Sequence, residues 1–197
     1  MPTIRRAEVD DAPQITSIYA PIVRDTIISF ETTPPNEKEM ASRIRNTLPN
    51  YPWLVCEHEG DICGYAYATN HRTREAYQWS VDVSVYVHDS YRRSGIGRGL
   101  YESLFALLRK QGFYNAYAGI ALPNPASVSL HESLGFEQVG TYEAVGYKHG
   151  AWHDVGWWHL QLVSTEENAE RPEPPSALTE IDTGEEIERG LPSIQLS

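Results

Sequence analysis

The sequence predicts a single α+β domain in which a mixed sheet carries helices on both of its faces. Length and composition give the first reason, because the chain has 197 residues, 41% of them hydrophobic, which is enough for one domain with a sizeable core. The order of the hydrophobic patterns gives the second reason: strand, two helices, three strands, helix, strand, helix and two strands follow one another along the chain.

The first part of the chain is expected to form one strand and two helices. A stripe of isoleucines recurs at helical spacing, and Asp10 or Asp11 is placed to cap the helix that carries it. Asn36 is placed to cap the next helix. The predicted elements are a strand at residues 3–6 and helices that end near residues 24 and 48. The stripe consists of Ile15, Ile18 and Ile22.

A β-hairpin and a further strand come next. Glu59-Gly60 supplies the turn between the runs WLVCEH and ICGYAYATN, and WSVDVSVYV follows as another strand. In such a hairpin Cys56 and Cys63 face each other on adjacent strands. Two buried free thiols are the favoured interpretation for an intracellular chain, and a disulfide between them is the alternative.

The second half begins with a strand-to-helix junction that contains three glycines, within VSVYVHDSYRRSGIGRGLYESLF. Leucines at helical spacing follow, and Gly112 is placed to end this helix. NAYAGIAL is typical of a strand, Pro125 starts a short helix that stops at Gly135, and two aromatic-rich strands close the domain. The leucines are Leu100, Leu104, Leu107 and Leu108.

The glycine-rich junction has two interpretations. Glycines let the backbone approach a ligand closely, and the first turn of a helix offers unpaired N–H groups, so the junction suits a phosphate. Arg92, Arg93 and Arg98 add positive charge there, although a tight turn with solvated arginines is the alternative. A P-loop is excluded because Gly97 is not followed by Lys-Ser/Thr, and a dinucleotide fold is disfavoured because the motif follows the fourth predicted strand.

Two motifs resemble those of the GNAT acetyltransferase superfamily. R-x-x-G-x-G at residues 92–97 resembles its pyrophosphate loop, and NPASVSLHESLGF at residues 124–136 resembles its downstream helix. The resemblance implies a central mixed, largely antiparallel, splayed sheet and acetyl-CoA as co-substrate. By this resemblance the pantetheine arm is bound by Val85, Tyr86 and Val87, and the far side of the cofactor is contacted by Asn124. The resemblance assigns to the pyrophosphate Arg93, Ser94, Gly95, Ile96, Gly97 and Arg98.

A narrower resemblance covers residues 3–163. The runs YPWLVCE, REAYQWSVDVSVYV, ALPNPASVSLHE and YKHGAWHDVGWW resemble phosphinothricin N-acetyltransferases. This resemblance implies acetylation of the α-amino group of phosphinothricin, methionine sulfoximine or methionine sulfone, by direct transfer in a ternary complex, with a role in detoxification and herbicide resistance. It also implies a homodimer, which the excess of aromatic residues in the last two strands favours.

Asp82 and His131 are the candidate catalytic residues. An amine that is mostly an ammonium at neutral pH needs a proton acceptor, and Asp82 lies in an otherwise apolar strand near the expected thioester. It matches an acidic residue treated as the base in the resembling enzymes, where glutamate is the expected form, so the shorter aspartate suggests a bridging water. His131 stands where many GNAT enzymes carry a tyrosine that protonates the leaving thiolate. It is a candidate for the acid that protonates the sulfur or for a group that orients the base. The alternatives are a structural carboxylate–arginine pair and a core histidine.

Four residues are candidates for binding the substrate. Arg72 and Arg74 precede the strand of Asp82, and their fork geometry suits a carboxylate or phosphinate. They match basic positions that contact the acidic substrate in the resembling enzymes. Phe30 and Tyr77 are candidate apolar walls for its methylene chain. The alternatives are a solvated loop for the arginines and core packing for the aromatic rings.

The net charge of −11 is unevenly distributed. From Ser164 onward nine acidic and two basic residues give −7, which leaves −4 for residues 1–163. Residues 164–197 are rich in Pro and Glu and poor in aromatics, so a flexible or loosely docked extension is expected there. An acidic chain is also a poor candidate for binding nucleic acid.

The remaining expectations concern location, metals and other functions. MPTIRRAEVDD has no apolar signal core, and no apolar run approaches the roughly 20 residues of a membrane span, so a cytoplasmic protein without membrane partners is expected. His149 and His153 lack a third ligand at useful spacing, so no metal is expected. Two other functions stay open, namely N-acetylation of another small amine or a peptide N-terminus, and a non-catalytic acyl-CoA-binding sensor.

Overall fold

The computed structural model of the chain describes residues 1–165 and 172–196. In this part of the chain seven strands form one sheet in the order β1-β2-β3-β4-β5-β7-β6, and neighbours are antiparallel except for the parallel pair β4 and β5. The predicted mixed, largely antiparallel sheet with helices on both faces is confirmed. The strands are β1 (Thr3–Arg6), β2 (Trp53–His58), β3 (Asp61–Asn70), β4 (Ser80–Val87), β5 (Asn115–Ala121), β6 (Glu137–Lys148) and β7 (Ala151–Gln161). The helices are α1 (Ala12–Asp25), α2 (Glu37–Thr47), α3 (Ile96–Gln111), α4 (Pro125–Ser133) and α5 (Gly184–Glu188).

Helices α1 and α2 cover one face of the sheet. All three isoleucines of the predicted stripe are buried, and Ile15 and Ile18 belong to the cluster that joins α1 to β2 and β3. Asn36 caps α2 as predicted, since its side chain accepts a hydrogen bond from Glu39 N at 2.9 Å. The cap predicted for α1 is wrong: Asp11 precedes the helix, but its carboxylate binds the Arg5 guanidinium at 2.8 Å and the Glu8 N–H instead of the first helical turn.

Helices α3 and α4 cover the other face. The four predicted leucines of α3 are fully buried, and Gly112 ends the helix with a φ of 95°, as predicted. Pro125 and Gly135 bound α4 in the same way as the sequence indicates. This face contains the larger of the two hydrophobic clusters, which joins α3 to the central strands of the sheet.

The C-terminal segment, defined as residues 172–196, packs along α3. It belongs to the extension that was expected to be flexible or loosely docked, and residues 166–171 and 197 of that extension lie outside the described residues. Leu178 is fully buried, so this segment is part of the folded body. The composition of the segment does not indicate this packing, because the apolar side chains of the segment are spaced among charged and small residues. The other residues that pack on the core are Ile187, Leu191, Ile194 and Leu196.

The predicted hairpin of β2 and β3 turns at Glu59-Gly60, where both residues have positive φ. A bulge between Cys56 and Glu57 places Gly64 opposite Cys56, so the two cysteines do not face each other directly as expected. Both thiols are free and buried, as the favoured interpretation predicted. Burial raises the pKa of Cys56 to about 12, which keeps this thiol protonated at neutral pH.

Candidate active site

A cleft opens in the sheet where β4 and β5 separate. Within residues 80–87 and 115–121, all of them described, the two strands pair only at their beginnings. β4 stays paired with β3 to Val87 and β5 stays paired with β7 to Ala121, so between them the backbone edges are left without ladder partners. The pairs are Ser80 with Asn115, Val81 with Ala116 and Asp82 with Tyr117.

The cleft connects the two faces of the sheet. Alternate residues of a strand point to opposite faces, so Val83 belongs to the core under α3 while the Tyr86 ring meets Tyr19 of α1 at 5.1 Å. Side chains from both faces therefore line one cavity. Asp82 is not one of the lining residues, but it occupies the last paired position of β4, next to the lining residue Val83. The lining includes Ile28, Ser84, Val85, Gly119, Ser127 and His131.

The helix N-terminus at the glycine-rich junction lies beside this cleft. The first helical hydrogen bond joins Gly99 N to Gly95 O at 2.9 Å, so the N–H groups of Ile96, Gly97 and Arg98 precede the helical ladder. A Cβ on Gly97 would lie 3.2 Å from Leu130 Cδ2 of α4 and 4.0 Å from Val85 Cγ2 of β4. Gly97 therefore faces the mouth of the cleft, where its missing side chain leaves the backbone accessible.

The other two glycines face the C-terminal segment instead. A Cβ on Gly95 would collide with the Ser193 carbonyl, and a Cβ on Gly99 would lie 2.6 Å from the Gly190 oxygen. Ser94 O also accepts a hydrogen bond from Gln195 N at 2.8 Å. Close backbone contact with this segment thus requires glycine at both positions, a requirement that sequence analysis missed because the segment was expected to be loose.

The start of α4 forms the far wall of the cleft. Asn124 caps α4, since its side chain accepts a hydrogen bond from Ser127 N at 3.2 Å. Arg98 of α3 donates to Ser133 Oγ at 2.7 Å and so links the two helices. Arg93, with a φ of 64°, is exposed at the junction.

Comparison with known proteins assigns this arrangement to a family. The family model "Acetyltransferase (GNAT) domain" matches residues 4–157. The chain belongs to the GNAT acetyltransferase family. It is therefore an N-acetyltransferase that uses acetyl-CoA, as the resemblance implied.

Three relatives show how far the GNAT likeness extends. The chain is 40% identical over 172 residues to a phosphinothricin N-acetyltransferase of Streptomyces viridochromogenes, covering 87% of this chain and 90% of the relative. It is 36% identical to an L-methionine sulfoximine/L-methionine sulfone acetyltransferase of Salmonella typhimurium, with 81% and 94% covered. A GNAT phosphinothricin acetyltransferase from Sinorhizobium meliloti, solved in complex with AcCoA, superposes with a TM-score of 0.81 at 38% identity, with 87% and 93% covered.

The cleft of this GNAT chain fits acetyl-CoA. The pantetheine arm of acetyl-CoA is extended and contains amide groups, which can form hydrogen bonds with the unpaired backbone edge of β4. The diphosphate of acetyl-CoA can accept hydrogen bonds from the free N–H groups at the start of α3. Among residues 1–165 and 172–196, no group of three His, Cys, Asp or Glu side chains is arranged to hold a metal ion. Over the same residues, no helix is long and apolar enough to cross a membrane.

Asp82 is held by His71, a residue that sequence analysis did not single out. His71 Nδ1 lies 2.6 Å from Asp82 Oδ1, and the two side chains are 13% and 31% exposed. Burial raises the pKa of Asp82, while the hydrogen bond from His71 and the charges of His71 and Arg72 oppose that rise. The pairing of β3 with β4 could have indicated this contact, because the residue before His71 lies opposite the residue before Asp82.

His131 is buried under α3, 3% exposed, and both of its nitrogens are engaged. Nδ1 lies 2.7 Å from the Ser127 carbonyl, which can only accept, so Nδ1 carries a proton. Nε2 then accepts from the Tyr101 hydroxyl at 3.1 Å. Burial lowers the pKa of His131, so the neutral imidazole is favoured. Tyr101 lines the cleft, and sequence analysis missed it because it adjoins the leucine stripe of α3.

The four predicted substrate residues lie between regular elements: Phe30 between α1 and α2, and Arg72, Arg74 and Tyr77 between β3 and β4. The Arg72 guanidinium lies 5.8 Å from the Trp157 ring centre, and the Tyr77 ring meets His71 edge-on at 6.0 Å. Arg74 is exposed, and no described residue forms a side-chain hydrogen bond or ion pair with it. The Phe30 ring packs so closely on β6 that a Cβ on Gly146 would collide with it.

Lys148 fixes the loop that carries Phe30, and sequence analysis also missed this role. Its ammonium group is buried and donates to Val23 O at 2.7 Å and to Ser29 O at 2.6 Å. The hairpin of β6 and β7 is thereby tied to the end of α1 and to the following loop, in which Ile28 lines the cleft.

Proposed function

We propose that this acetyltransferase acetylates the α-amino group of phosphinothricin or a related small amino acid, such as methionine sulfoximine or methionine sulfone. The names of the two curated relatives support this substrate class. Arg72 and Arg74 support it as well, because their guanidinium groups can bind the carboxylate and the phosphinate or sulfone oxygens of such a molecule. Phe30 and Tyr77 contribute apolar walls for its methylene chain.

The observation that carries the proposal is the opening of the cleft to both faces of the sheet, with Asp82 at the last paired position of β4, where the two strands begin to separate. An amine on the α1 and α2 side and a thioester on the α3 and α4 side can meet there without a covalent enzyme intermediate. This geometry supports direct transfer in a ternary complex, because proximity alone removes much of the cost of bringing the two reactants together.

In this mechanism Asp82 accepts one proton from the substrate ammonium. The N–H bond breaks, an O–H bond forms on the carboxylate, and the neutral amine is left with a lone pair. Acetyl-CoA supplies the thioester carbonyl that this lone pair attacks. The backbone N–H of Val85 or a neighbour on the open edge of β4 donates to the carbonyl oxygen and stabilises its developing negative charge.

His131 and Tyr101 supply the proton for the sulfur that leaves. At rest the imidazole is neutral, and the nitrogen that has attacked the carbonyl must still lose a second proton, which passes through the Tyr101 hydroxyl to Nε2 across the 3.1 Å contact. The same route then returns it: Nε2–H gives its proton to the Tyr101 oxygen while the Tyr101 O–H gives its proton to the thiolate. The hydrogen bond between the two residues reverses its direction during this step. His131 lines the cleft, but its Nε2 is engaged by the Tyr101 hydroxyl, so in this proposal it acts on the sulfur through Tyr101.

The cofactor contacts proposed for this chain follow the same geometry. Backbone groups of β4 bind the pantetheine arm, the junction before α3 binds the diphosphate, and Asn124 lies on the far side of the cofactor. Arg93 and Arg98 add positive charge near the diphosphate. The strand residues are Val85, Tyr86 and Val87, and the other junction residues are Ser94, Gly95, Ile96 and Gly97.

We also propose that the chain acts as a homodimer through the hairpin of β6 and β7. This hairpin exposes a series of large apolar side chains, which solvent disfavours and a second copy would cover. Tyr147 is 59% exposed and Trp152 is 65% exposed, and their rings contact each other at 5.4 Å. The remaining exposed residues of the series are Val139, Tyr142 and Val145.

The substrate proposal is tested by measuring CoA release from acetyl-CoA with a panel of amines. The panel contains phosphinothricin, methionine sulfoximine, methionine sulfone, ordinary amino acids and polyamines, and Arg74→Gln is assayed in parallel. Saturable turnover with the first three, and a raised KM for them in the variant, is the expected result. Turnover only with other amines would overturn the substrate. Acetyl-CoA binding without turnover by any amine would favour a peptide acceptor or a non-catalytic sensor.

A further inference from the structure

The Asp82 carboxylate has one short contact that the proposed roles leave unexplained. Among the described residues only His71 donates to it, through Nδ1 and Oδ1 at 2.6 Å. A carboxylate can only accept hydrogen bonds, so Nδ1 carries the proton in this pair. The second carboxylate oxygen has no hydrogen-bond partner among the described residues and is therefore available to the substrate.

The His71 ring is held by its surroundings and not by Asp82 alone. It stacks on Tyr117 with ring centres 4.5 Å apart, and Tyr117 is the residue of β5 directly opposite Asp82. Tyr77 and Trp157 meet the ring edge-on at 6.0 and 6.1 Å. The donor is thus fixed in place before any substrate binds, which is what a preorganised site requires.

None of the other charged or titratable groups around the pair of His71 and Asp82 donates a hydrogen bond to the Asp82 carboxylate among the described residues. The Arg72 guanidinium is turned toward Trp157 and affects Asp82 through its charge alone. His159 stacks on the far side of Tyr117, and its Nε2 meets Asn115 Oδ1 at 2.9 Å, so it has no contact with the carboxylate. The titratable or charged groups that surround the pair are Tyr67, Arg72, Tyr77, Tyr117 and His159.

A buried carboxylate without a donor tends to take up a proton and lose its use as a base. Burial raises the pKa of Asp82, and the hydrogen bond from His71 is the first of the interactions that oppose the rise. Aspartate is also short, so an unrestrained carboxylate would rotate its free oxygen away from the amine. One donor on Oδ1 answers both needs, since it favours the charged form and fixes the direction of the other oxygen.

We infer that His71 is a positioning residue of the acetyl transfer, whose Nδ1–H donor keeps the Asp82 carboxylate ionised and aims its second oxygen at the substrate ammonium. This inference rests on the proposed function, in which Asp82 is the base. His71 takes up no proton from the substrate: the proton moves from the ammonium nitrogen to the free oxygen of Asp82, while the hydrogen bond at Oδ1 persists.

Two substitutions separate the donor from the ring. His71→Phe keeps an aromatic ring to stack on Tyr117 and removes the donor. His71→Asn loses the stack and keeps an N–H donor at nearly the position of Nδ1. For each protein, kcat/KM for the accepted amine is measured against pH, together with KM for acetyl-CoA and the carboxyl ¹³C NMR titration of Asp82.

The expected result is a split between the two variants. His71→Phe moves the acidic limb of kcat/KM, and the titration of Asp82, upward by about one pH unit, because the ionised carboxylate loses its donor. His71→Asn leaves both near the wild-type values, and KM for acetyl-CoA is unchanged in both variants. At pH values above the shifted limb, His71→Phe recovers the activity that it lost to protonation of Asp82 and keeps a pH-independent deficit, because the free oxygen is no longer aimed.

Two results would overturn the inference. An unmoved acidic limb in His71→Phe would show that the contact does not control the carboxylate. Equal loss at every pH in His71→Phe and His71→Asn would show that the imidazole itself accepts the proton. If the wild-type protein turns over no amine, the proposed function fails, yet the NMR titration of Asp82 still decides whether His71 controls its ionisation.

Discussion

At the scale of single residues, burial determines what each group in the cleft can do. It raises the pKa of Asp82 and lowers the pKa of His131, because in both cases it disfavours the charged form. A carboxylate with a raised pKa is a stronger base, and an imidazole with a lowered pKa gives up its proton more readily. The two shifts therefore match the opposite tasks proposed for these residues.

The first prediction concerns Asp82→Ala. Removing the base is expected to lower turnover by about 10²–10⁴-fold, the usual range for general acid–base catalysis, while acetyl-CoA still binds. CoA release gives the rate, and calorimetric titration gives the affinity for acetyl-CoA. Asp61→Ala, at the exposed start of β3, is the matched control and is expected to behave as wild type. Turnover that survives in Asp82→Ala would mean that the base lies elsewhere.

The second prediction concerns Tyr101→Phe, which removes one buried hydroxyl. The ring stacks on Phe105 at 5.0 Å in either form, so the fold and acetyl-CoA binding should be retained. We expect kcat to fall at least about tenfold because His131 loses its route to the sulfur. Tyr51→Phe, outside the cleft, is the control. A kcat equal to that of wild type would exclude Tyr101 from the proton route.

The residues that the sequence predicted and those that it missed differ in kind. Asp82 could be found because a charged residue inside an apolar strand is conspicuous without any tertiary information. The roles proposed for His71 and Tyr101 depend on partners 11 and 30 residues away, and so on strand register and on how α3 meets α4. Lys148 is a stronger case, since its carbonyl partners lie 125 and 119 residues earlier.

At the scale of elements, the C-terminal segment and α3 each need a glycine where their backbones are in contact. Gly190 and Gly99 approach so closely that a Cβ on Gly190 would collide with the Gly99 carbonyl. Ser103 Oγ reinforces the contact by accepting from Gly190 N at 3.0 Å and donating to Ile187 O at 2.7 Å. The segment thus supports the first turns of α3 from the side opposite the cleft.

The third prediction is that Gly190→Ala destabilises the protein and weakens its binding of acetyl-CoA. The added methyl group forces the segment away from α3, and overpacking of this kind costs about 1–3 kcal/mol. Thermal unfolding and KM for acetyl-CoA measure the two effects. Gly140→Ala is the control, because nothing lies within 4 Å of a Cβ built there. An unchanged KM with a lowered Tm would show that the segment stabilises the fold without shaping the diphosphate site.

Most elements of the domain could be predicted because each has its own local signal. The hairpin at Glu59-Gly60, the Asn36 cap and the leucines of α3 all lie where the sequence indicated. α5 was missed because its five residues carry no amphipathic pattern of their own. The bulge at Cys56 was missed for a related reason, since bulges arise from how two strands fit together and not from one strand alone.

At the scale of the whole molecule, the hairpin of β6 and β7 has two connected tasks. Its outer surface exposes the aromatic pair Tyr147 and Trp152, and its inner surface holds the loop that carries Phe30 through Gly146 and Lys148. Phe30 packs on Gly146 and lies 6.4 Å from the His153 ring. A partner that covers the outer surface would therefore also restrain the residues proposed to surround the substrate.

The fourth prediction is that Tyr147→Ser combined with Trp152→Ser converts a dimer into a monomer with weakened substrate binding. Replacing two exposed aromatic rings removes apolar area from the proposed interface at little cost to the monomer's own core. Light scattering after size-exclusion chromatography gives the mass, and steady-state rates give KM for the amine and for acetyl-CoA. We expect the amine KM to rise severalfold and the acetyl-CoA KM to stay constant, because the cofactor groove lies at α3 and α4.

Lys38→Ser on exposed α2 is the control. A wild-type protein that is monomeric at assay concentration would contradict the dimer, and a monomeric variant with unchanged amine KM would separate assembly from substrate binding.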